Sequence, residues 1–497
     1  MRNRDLDIFS ASCGAMLVAG ILMGSSSGLA ASSNEAAFPV GVETLRQVKP
    51  RTSTGLTQAE LVERGRQLFE YETFGGNGRT CATCHPPAHN FTLDPNYIAK
   101  LPPDDPLFVA ESDPALAKLE NPYMLRRYAL ILENVDGFHV PGVLRGLPHV
   151  LGLGLSIKPG TAFPLADMTG WSGDGAPGDG SLRSFAIGAV AQHMTKSLAR
   201  VPGRDFRVPS DDELDALLAY QLALGQQELL DVEPGEDEVL KFYDASVERG
   251  MVLFDSPLHD GAKTSCFACH YKAGANDEDV ALGGHNTNFA TGTNRLRSAP
   301  ACLVPADGGF GKGSPHLLDS KGACGGRTPS GGLAYGDDQF NVPSLVAAAA
   351  TPPYFHNNAA ATLEDAIAFY ASDTFKQSPA GEGHPFRLDK AAISDIAAFL
   401  RAVNAYENVV EATRYLDQSL ALPHQRSKPL RDLALAQVTT ALAVLAEHRP
   451  TPLFAATHAA EALRAAQTKL RSGNPALLAP AKIDLERARS LMAASGA

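Results

Sequence analysis

Two pentapeptides constrain this chain more than anything else in it: Cys81-Ala82-Thr83-Cys84-His85 and Cys266-Phe267-Ala268-Cys269-His270. Each is a C-x-x-C-H motif, the signature of covalent haem attachment. The spacing has a physical reason. Two thiols three apart lie along one turn, where both can bond the vinyl groups of one haem, and the adjacent histidine then points its imidazole at the iron. On this reading Cys81, Cys84, Cys266 and Cys269 hold two covalently bound c-type haems, and His85 and His270 are the proximal iron ligands. Half a zinc site and a redox dithiol are the alternatives for a single motif. A four-cysteine zinc site competes for the pair, but it has no use for the two histidines that follow.

The surroundings of the motifs repeat too. Arg64-Gly65-Arg66-Gln67-Leu68-Phe69 leads into the first and Arg249-Gly250-Met251-Val252-Leu253-Phe254 into the second, and both read as a helix feeding a haem loop. Downstream, Val140-Pro141-Gly142-Val143-Leu144 matches Val342-Pro343-Ser344-Leu345. Each half then closes with an amphipathic helix. Ser210-x-x-Glu213 is a capping box ahead of Leu214, Leu217, Leu218 and Leu222, and Asp389 precedes Ile393, Ile396, Phe399 and Leu400.

The pattern predicts a mainly α fold of two tandem cytochrome c-like domains with long irregular loops. Residues 31–235 form the first haem domain and 236–410 the second, with the acidic, Pro/Gly-bearing stretch from Asp231 to Glu238 as linker. Beyond Val410, Leu430, Leu433, Val438, Leu442 and Leu445 recur at helical spacing, and the segment from Ala455 to Met492 does the same. Residues 411–497 therefore read as a helical extension that packs on the haem domains or offers a partner surface.

Composition bears on the compartment. Arg2 and Arg4, the apolar stretch from Ala11 to Met23 and the small residues Gly28-Leu29-Ala30 read as a signal peptide over residues 1–30, and imply a periplasmic protein. An uncleaved anchor is the alternative, for which the apolar run is short. No later segment holds eighteen uninterrupted apolar residues, so no membrane span is expected after cleavage. In an oxidising compartment the remaining thiols, Cys302 and Cys324, most simply pair. A formal net charge of −12 argues against a nucleic-acid surface and fits an acidic protein that meets a basic redox partner.

Tandem domains of this kind resemble the bacterial di-haem cytochrome c peroxidases and MauG. The resemblance spans roughly residues 60–410. It is strongest at Pro353-Tyr354-Phe355-His356-Asn357-Asn358 followed by Thr362-Leu363-Glu364-Asp365-Ala366, which is similar to the family's P-Y-F-H-[DN]-G…T-L-E-[ED] segment. Asn358 stands where the family has Gly. Fourteen residues after this histidine the family places the sixth ligand of the second haem, Met in peroxidases and Tyr in MauG; here the position is Tyr370, in a helix opened by Thr362 and Asp365 as a capping box. The resemblance thus implies a phenolate ligand on the His270 haem, against the alternative of a core tyrosine.

Aligning Ser181-Leu182-Arg183 with Thr362-Leu363-Glu364 brings Ala189 to the equivalent place in the first half, which implies an open distal side on the His85 haem. The gating histidine of some peroxidases is replaced by Leu101. Trp171 resembles the tryptophan of the family's W-D-G segment, and would sit between the haems as an electron relay; a buried structural indole is the alternative. The family's distal Gln and Glu fall near Phe185 and Thr195, leaving Gln192 and His193 as the nearest polar substitutes. His193 is a candidate acid–base group, a candidate sixth ligand, or a core histidine. His89 is expected near the first haem edge, and His139, His149 and His285 are loop candidates for a propionate contact. The family often holds calcium between its domains, though no acidic cluster here identifies a site.

What the resemblance implies is an oxidoreductase whose first haem reacts with hydrogen peroxide, or oxygen, while the second passes electrons from a small donor such as a cytochrome or cupredoxin. A di-haem oxygenase of the rubber-oxygenase type is one alternative, since Phe185 in place of Gln makes an apolar pocket suited to oxygen. A non-enzymatic di-haem carrier is the other.

Overall fold

A computed structural model describes residues 56–494, omitting 57, 134–142, 156–181, 228, 234–238, 257–264, 275–287, 299–337, 339, 383–385 and 423. Among the described residues, the helices of seven residues or more in the first half are α1 (Gln58–Tyr71), α2 (Pro122–Tyr128), α3 (Leu182–His193) and α4 (Asp211–Leu222). They are followed by α5 (Ala245–Asp255), α6 (Leu363–Phe369), α7 (Lys390–Leu420), α8 (His424–Glu447), α9 (Ala459–Arg471) and α10 (Leu478–Met492). Among the described residues, strand is confined to three antiparallel two-stranded pieces: β1 (Leu130–Glu133) with β2 (Val143–Gly146), β3 (Lys241–Phe242) with β6 (Ala493–Ala494), and β4 (Asn288–Phe289) with β5 (Phe340–Asn341). The fold is mainly α, as expected. Trp171, Cys302 and Cys324 lie outside the described residues, as do the signal segment, His139 and His285.

The repeated lead-in sequences are one structural device used twice. Helix α1 packs across α4, and α5 packs across α7. A Cβ built on Gly65 would lie 1.9 Å from the Ala216 carbonyl oxygen, and one built on Gly250 would lie 1.9 Å from the Asp395 carbonyl oxygen. No real side chain sits that close, so each glycine lets two helix backbones touch. The next turn of each lead-in helix then buries a phenylalanine, Phe69 in the first half and Phe254 in the second. The closing helices start as their sequences predict. The Ser210 N–H donates to Glu213 Oε2 at 2.8 Å and the Glu213 N–H donates to Ser210 Oγ at 3.4 Å. Asp389 Oδ1 accepts from the Ala392 N–H at 2.8 Å.

Two main cores result. The first gathers Phe69, Phe74, Phe91, Val190, Met194, Leu217 and Leu218, with Ala347 added from the later part of the chain. The second starts with Val247, Met251, Phe254, Ile396 and Phe399 and runs on through Val438, Leu445, Leu463 and Leu485. Each fully buried Leu, Val or Phe of this kind contributes roughly 1.5–3 kcal/mol.

Helix α7 has 31 residues, about 46 Å long. It runs straight through positions 410 and 411, where the sequence suggested the extension begins. Its apolar stripe explains this: Val403, Val409, Ala412 and Leu416 are fully buried and continue the row begun by Ile396 and Phe399. The later helices α8 and α10 pack on α7, and β6 adds to β3 with Lys241 opposite Ala494. The extension is thus built into the second core.

Near its C-terminal end α7 also meets the first half. Arg414 Nη2 donates to the Ala223 carbonyl at 2.9 Å and to Glu411 Oε2 at 2.6 Å. Burial outweighs that ion pair and pushes the Glu411 carboxyl up to about 7.

Two predictions follow from packing and burial. Replacing Gly65 or Gly250 by Ala forces apart helix backbones in contact, and each change is expected to cost at least about 1–3 kcal/mol in thermal or denaturant unfolding. Because the folded chain holds the Glu411 proton more tightly than the unfolded chain, stability falls as pH rises from about 4.5 to about 7. Glu411→Gln should flatten this slope, removing a contribution of roughly 3 kcal/mol from the pH dependence across that window.

Candidate di-haem site

The two C-x-x-C-H turns have the same backbone. Both are single helical turns, Cys81–Cys84 and Cys266–Ala268, and in each the histidine N–H donates to the carbonyl of the first cysteine at 2.9 Å. The histidines leave the turn alike, with φ −120°, ψ 65° at His85 and φ −116°, ψ 68° at His270. Burial pushes the Cys81, Cys84 and Cys266 thiols up to about 12. Reactive dithiols need the opposite shift, so burial works against a redox-dithiol reading of these cysteines. Nor, among the described residues, are any three His, Cys, Asp or Glu side chains grouped to hold a separate metal ion, which leaves a four-cysteine zinc site without support.

Each imidazole is fixed from behind. His85 Nδ1 lies 2.9 Å from the Phe91 carbonyl oxygen, and His270 Nδ1 lies 3.1 Å from the Pro343 carbonyl oxygen. A carbonyl partner requires the proton on Nδ1, which leaves Nε2 as the donor atom for a metal. Desolvation lowers the proton affinity of both rings, His270 down to about 4. The way the carbonyl is supplied differs. The first loop turns back on itself through left-handed Asn90 and Phe91, with φ 52° and 57°. The second borrows Pro343 from the Val342-Pro343-Ser344-Leu345 segment. Of the matching segment in the first half, only Val143 and Leu144 are among the described residues, and they belong to strand β2.

Both turns open on one cavity of about 820 Å³, a volume in the range of cofactor pockets. The two halves line it in parallel. Phe69 and Phe254 come from the lead-in helices; Leu217 and Gln221 of α4 correspond to Ile396 and Leu400 of α7. Nδ1-tethered imidazoles, paired thiols one turn apart and a large, mainly apolar cavity fit c-type haem.

The distal walls differ. On the His270 side stands Tyr370, at the C-terminus of α6, with its ring edge-on to Phe369 and Phe375 at centroid distances of 5.4 and 5.1 Å. Burial first, then the nearby Cys269 and Cys266, pushes its phenol well above the ordinary range. Such a phenol ionises only beside a strong compensating cation. Thr362 Oγ1 caps α6 by accepting the Asp365 N–H at 3.1 Å; among the described bonds this is the only half of the expected capping box present.

On the His85 side the wall is α3. Phe185, Ala189, Gln192 and His193 line the cavity, as does Met194, which the sequence reading passed over. Thr195 does not: its hydroxyl is tied to the Ser197 carbonyl at 2.6 Å. Behind His193 lies a buried ion pair that was not foreseen either. Arg79 Nη1 is 2.9 Å from Glu120 Oε1, with both side chains essentially inaccessible. His193 Nδ1 stands 3.4 Å from the same Glu120 oxygen, just outside hydrogen-bond geometry. The β1–β2 hairpin adds a second buried guanidinium to the cavity wall, Arg145, 3.3 Å from Glu133.

No family model matches the chain, and no curated relative matches it. Among solved structures, a MauG-like protein associated with microbial copper homeostasis is similar over 71% of this chain and 91% of its own, at 17% identity and a TM-score of 0.40. The diheme peroxidase BthA from Burkholderia thailandensis E264 is similar over 71% of this chain and 86% of its own, at 17% identity and a TM-score of 0.37. Both superpositions are loose, and the site is read from its own residues.

Other histidines fall into place. His89 is paired with Asp94 at 2.6 Å and stacked on Tyr97, and it does not line the cavity. This corrects the expected position at the haem edge: the Asp94 carboxylate and Tyr97 ring draw it away. His149 does line the cavity, and its Nδ1 accepts the Leu151 N–H at 3.2 Å. His356 stacks on Phe340 at 4.0 Å, and its carbonyl accepts the Gly146 N–H at 2.7 Å. Asn358 shows why Gly is absent from this turn. Its backbone takes the left-handed φ of 57°, and its side-chain amide donates to the Tyr128 and Ala129 carbonyls at 2.8 and 3.1 Å. It clamps the second half to the first. Asn358→Gly keeps the backbone but loses both bonds, and should lower unfolding stability by about 1–2 kcal/mol. Asn358→Ala adds left-handed strain and should cost about 1–2 kcal/mol more.

Proposed function

We propose that this chain is an exported di-haem oxidoreductase of the peroxidase/MauG kind, in which the His85 centre meets hydrogen peroxide and the His270 centre stores and relays electrons. One observation carries the reading: two C-x-x-C-H turns with closely similar backbones open on a single cavity, which Tyr370 lines in the second half and Ala189 and His193 line in the first.

Cys81, Cys84, Cys266 and Cys269 would anchor the two groups covalently, and His85 and His270 would bind iron through Nε2. Bound haem supplies a reversible one-electron couple and, where a coordination position is free, a binding site for peroxide or oxygen. The protein's own residues set the difference between the centres. Tyr370 presents a phenol to the His270 side, where an ionised oxygen favours the oxidised metal. Ala189 presents only a methyl group on the His85 side. Phe185 keeps that wall apolar, and Phe69 and Leu217 add apolar surface to the same cavity. His193 is the group there that can hold and move a proton, and Arg145 is a partner for a haem propionate. Trp171 is the sequence's candidate relay between the centres. Export to the periplasm puts the protein beside small electron donors such as cytochromes or cupredoxins.

Electron paramagnetic resonance of the purified ferric holoprotein tests the proposal. A high-spin signal from the His85 centre and a low-spin signal from the His270 centre are expected, and peroxide should change the first. Tyr370→Phe should abolish the low-spin signal while leaving the other. Two saturated low-spin centres indifferent to peroxide would leave only a carrier. Turnover of peroxide with a reduced cytochrome, set beside oxygen uptake with organic substrates, separates a peroxidase from an oxygenase.

A further inference from the structure

The Glu120 carboxylate is fully enclosed in the first half. An isolated charge cannot be buried there without compensation. Arg79 supplies it at 2.9 Å, and the Leu132 N–H donates to the other oxygen at 2.9 Å. Arg79 is itself anchored, donating from Nε to the Pro106 carbonyl at 3.1 Å and from Nη2 to the Leu107 carbonyl at 2.7 Å. The carboxylate is therefore held in place before His193 is considered. His193 ends α3, and its backbone is pinned as well: the Asn77 side-chain amide donates to the His193 carbonyl at 3.0 Å. Its ring lines the cavity on one edge and turns Nδ1 toward Glu120, at 3.4 Å, on the other.

The geometry points to Glu120 as the positioning residue of His193: it holds the Nδ1–H toward itself, so that Nε2 faces the first distal pocket as a proton acceptor. This rests on the reading of the His85 centre as the open one. The same logic orients histidines in other sites, where a carboxylate behind the ring selects the tautomer and supports the imidazolium. Burial lowers the proton affinity of the His193 ring, with Arg79 and Arg200 acting the same way, and Glu120 opposes them by favouring the protonated ring. His85 stands in the same cavity wall. The step is balanced: a ligand H–X gives its proton to Nε2, X⁻ stays in the pocket, and Glu120 neutralises the new positive charge. The proton returns when the ligand leaves.

Ligand-binding kinetics of the ferric holoprotein test this without turnover. Hydrogen cyanide must lose its proton on binding, whereas neutral imidazole need not. His193→Ala should slow cyanide association by about 100-fold or more. Glu120→Gln should slow it by about 10–100-fold. Imidazole association should be unchanged in both, and adding Glu120→Gln to His193→Ala should have no further effect on cyanide. Should Glu120→Gln fail to fold because Arg79 is left unpaired, Arg79→Met with Glu120→Gln removes both charges and is read in the same way. The assignment is overturned if Glu120→Gln leaves cyanide binding intact, slows both ligands alike, or slows cyanide equally without His193. Wild-type protein that binds neither ligand would instead overturn the open-centre reading on which the assignment rests.

Discussion

Backbone contact between helices, made once at Gly65 against Ala216 and again at Gly250 against Asp395, is the constraint on which the rest of the structure depends. It sets the distance between each lead-in helix and the helix that closes its half. Each C-x-x-C-H turn packs on its lead-in helix, and the close approach aligns the residue pairs of the closing helices that line the cavity. Without the two glycines the helices would stand apart by a side chain, and the turns would lose their shared geometry.

On this common frame the two centres diverge through what approaches from the distal side. In the second half a short capped helix ends in an aromatic cluster and presents one phenol. In the first half a helix of small and apolar residues presents a methyl group, a histidine and, behind it, a buried ion pair. Burying Arg79 and Glu120 together costs desolvation that apolar residues of the same size would avoid. The fold retains the pair where it reaches His193, which is where such a charge can serve a neighbouring ring.

Features set by local spacing were legible in the sequence. The C-x-x-C-H turns, the lead-in repeat, the Ser210 capping box and the helical stripes all depend on residues a few positions apart. Features set by long-range contact were not. Arg79 and Glu120 are separated by a stretch with no shared pattern, and neither belongs to a motif. The continuity of α7 past position 410 was obscured because alanines carry much of its buried stripe, and alanine is a weak periodic signal. Asn358 could be recognised as a departure from the family pattern, but its reason, two carbonyls on the far half, required the fold. His89 was misplaced because nearness to His85 in sequence stood in for nearness in space, while Asp94 and Tyr97 held it elsewhere.

The pairing of β3 with β6 has a consequence for how the chain matures. The first core draws on residues before 230 except for Ala347, whereas the second is not complete until Met492 and Ala493 are in place. Contacts between segments so far apart form late and slowly. During synthesis the first half can therefore collapse around its own haem turn while the second still lacks a large part of its apolar surface. The topology orders assembly: the core around the His85 turn can close early, whereas the core behind the His270 turn waits for a strand and helices that emerge long after it.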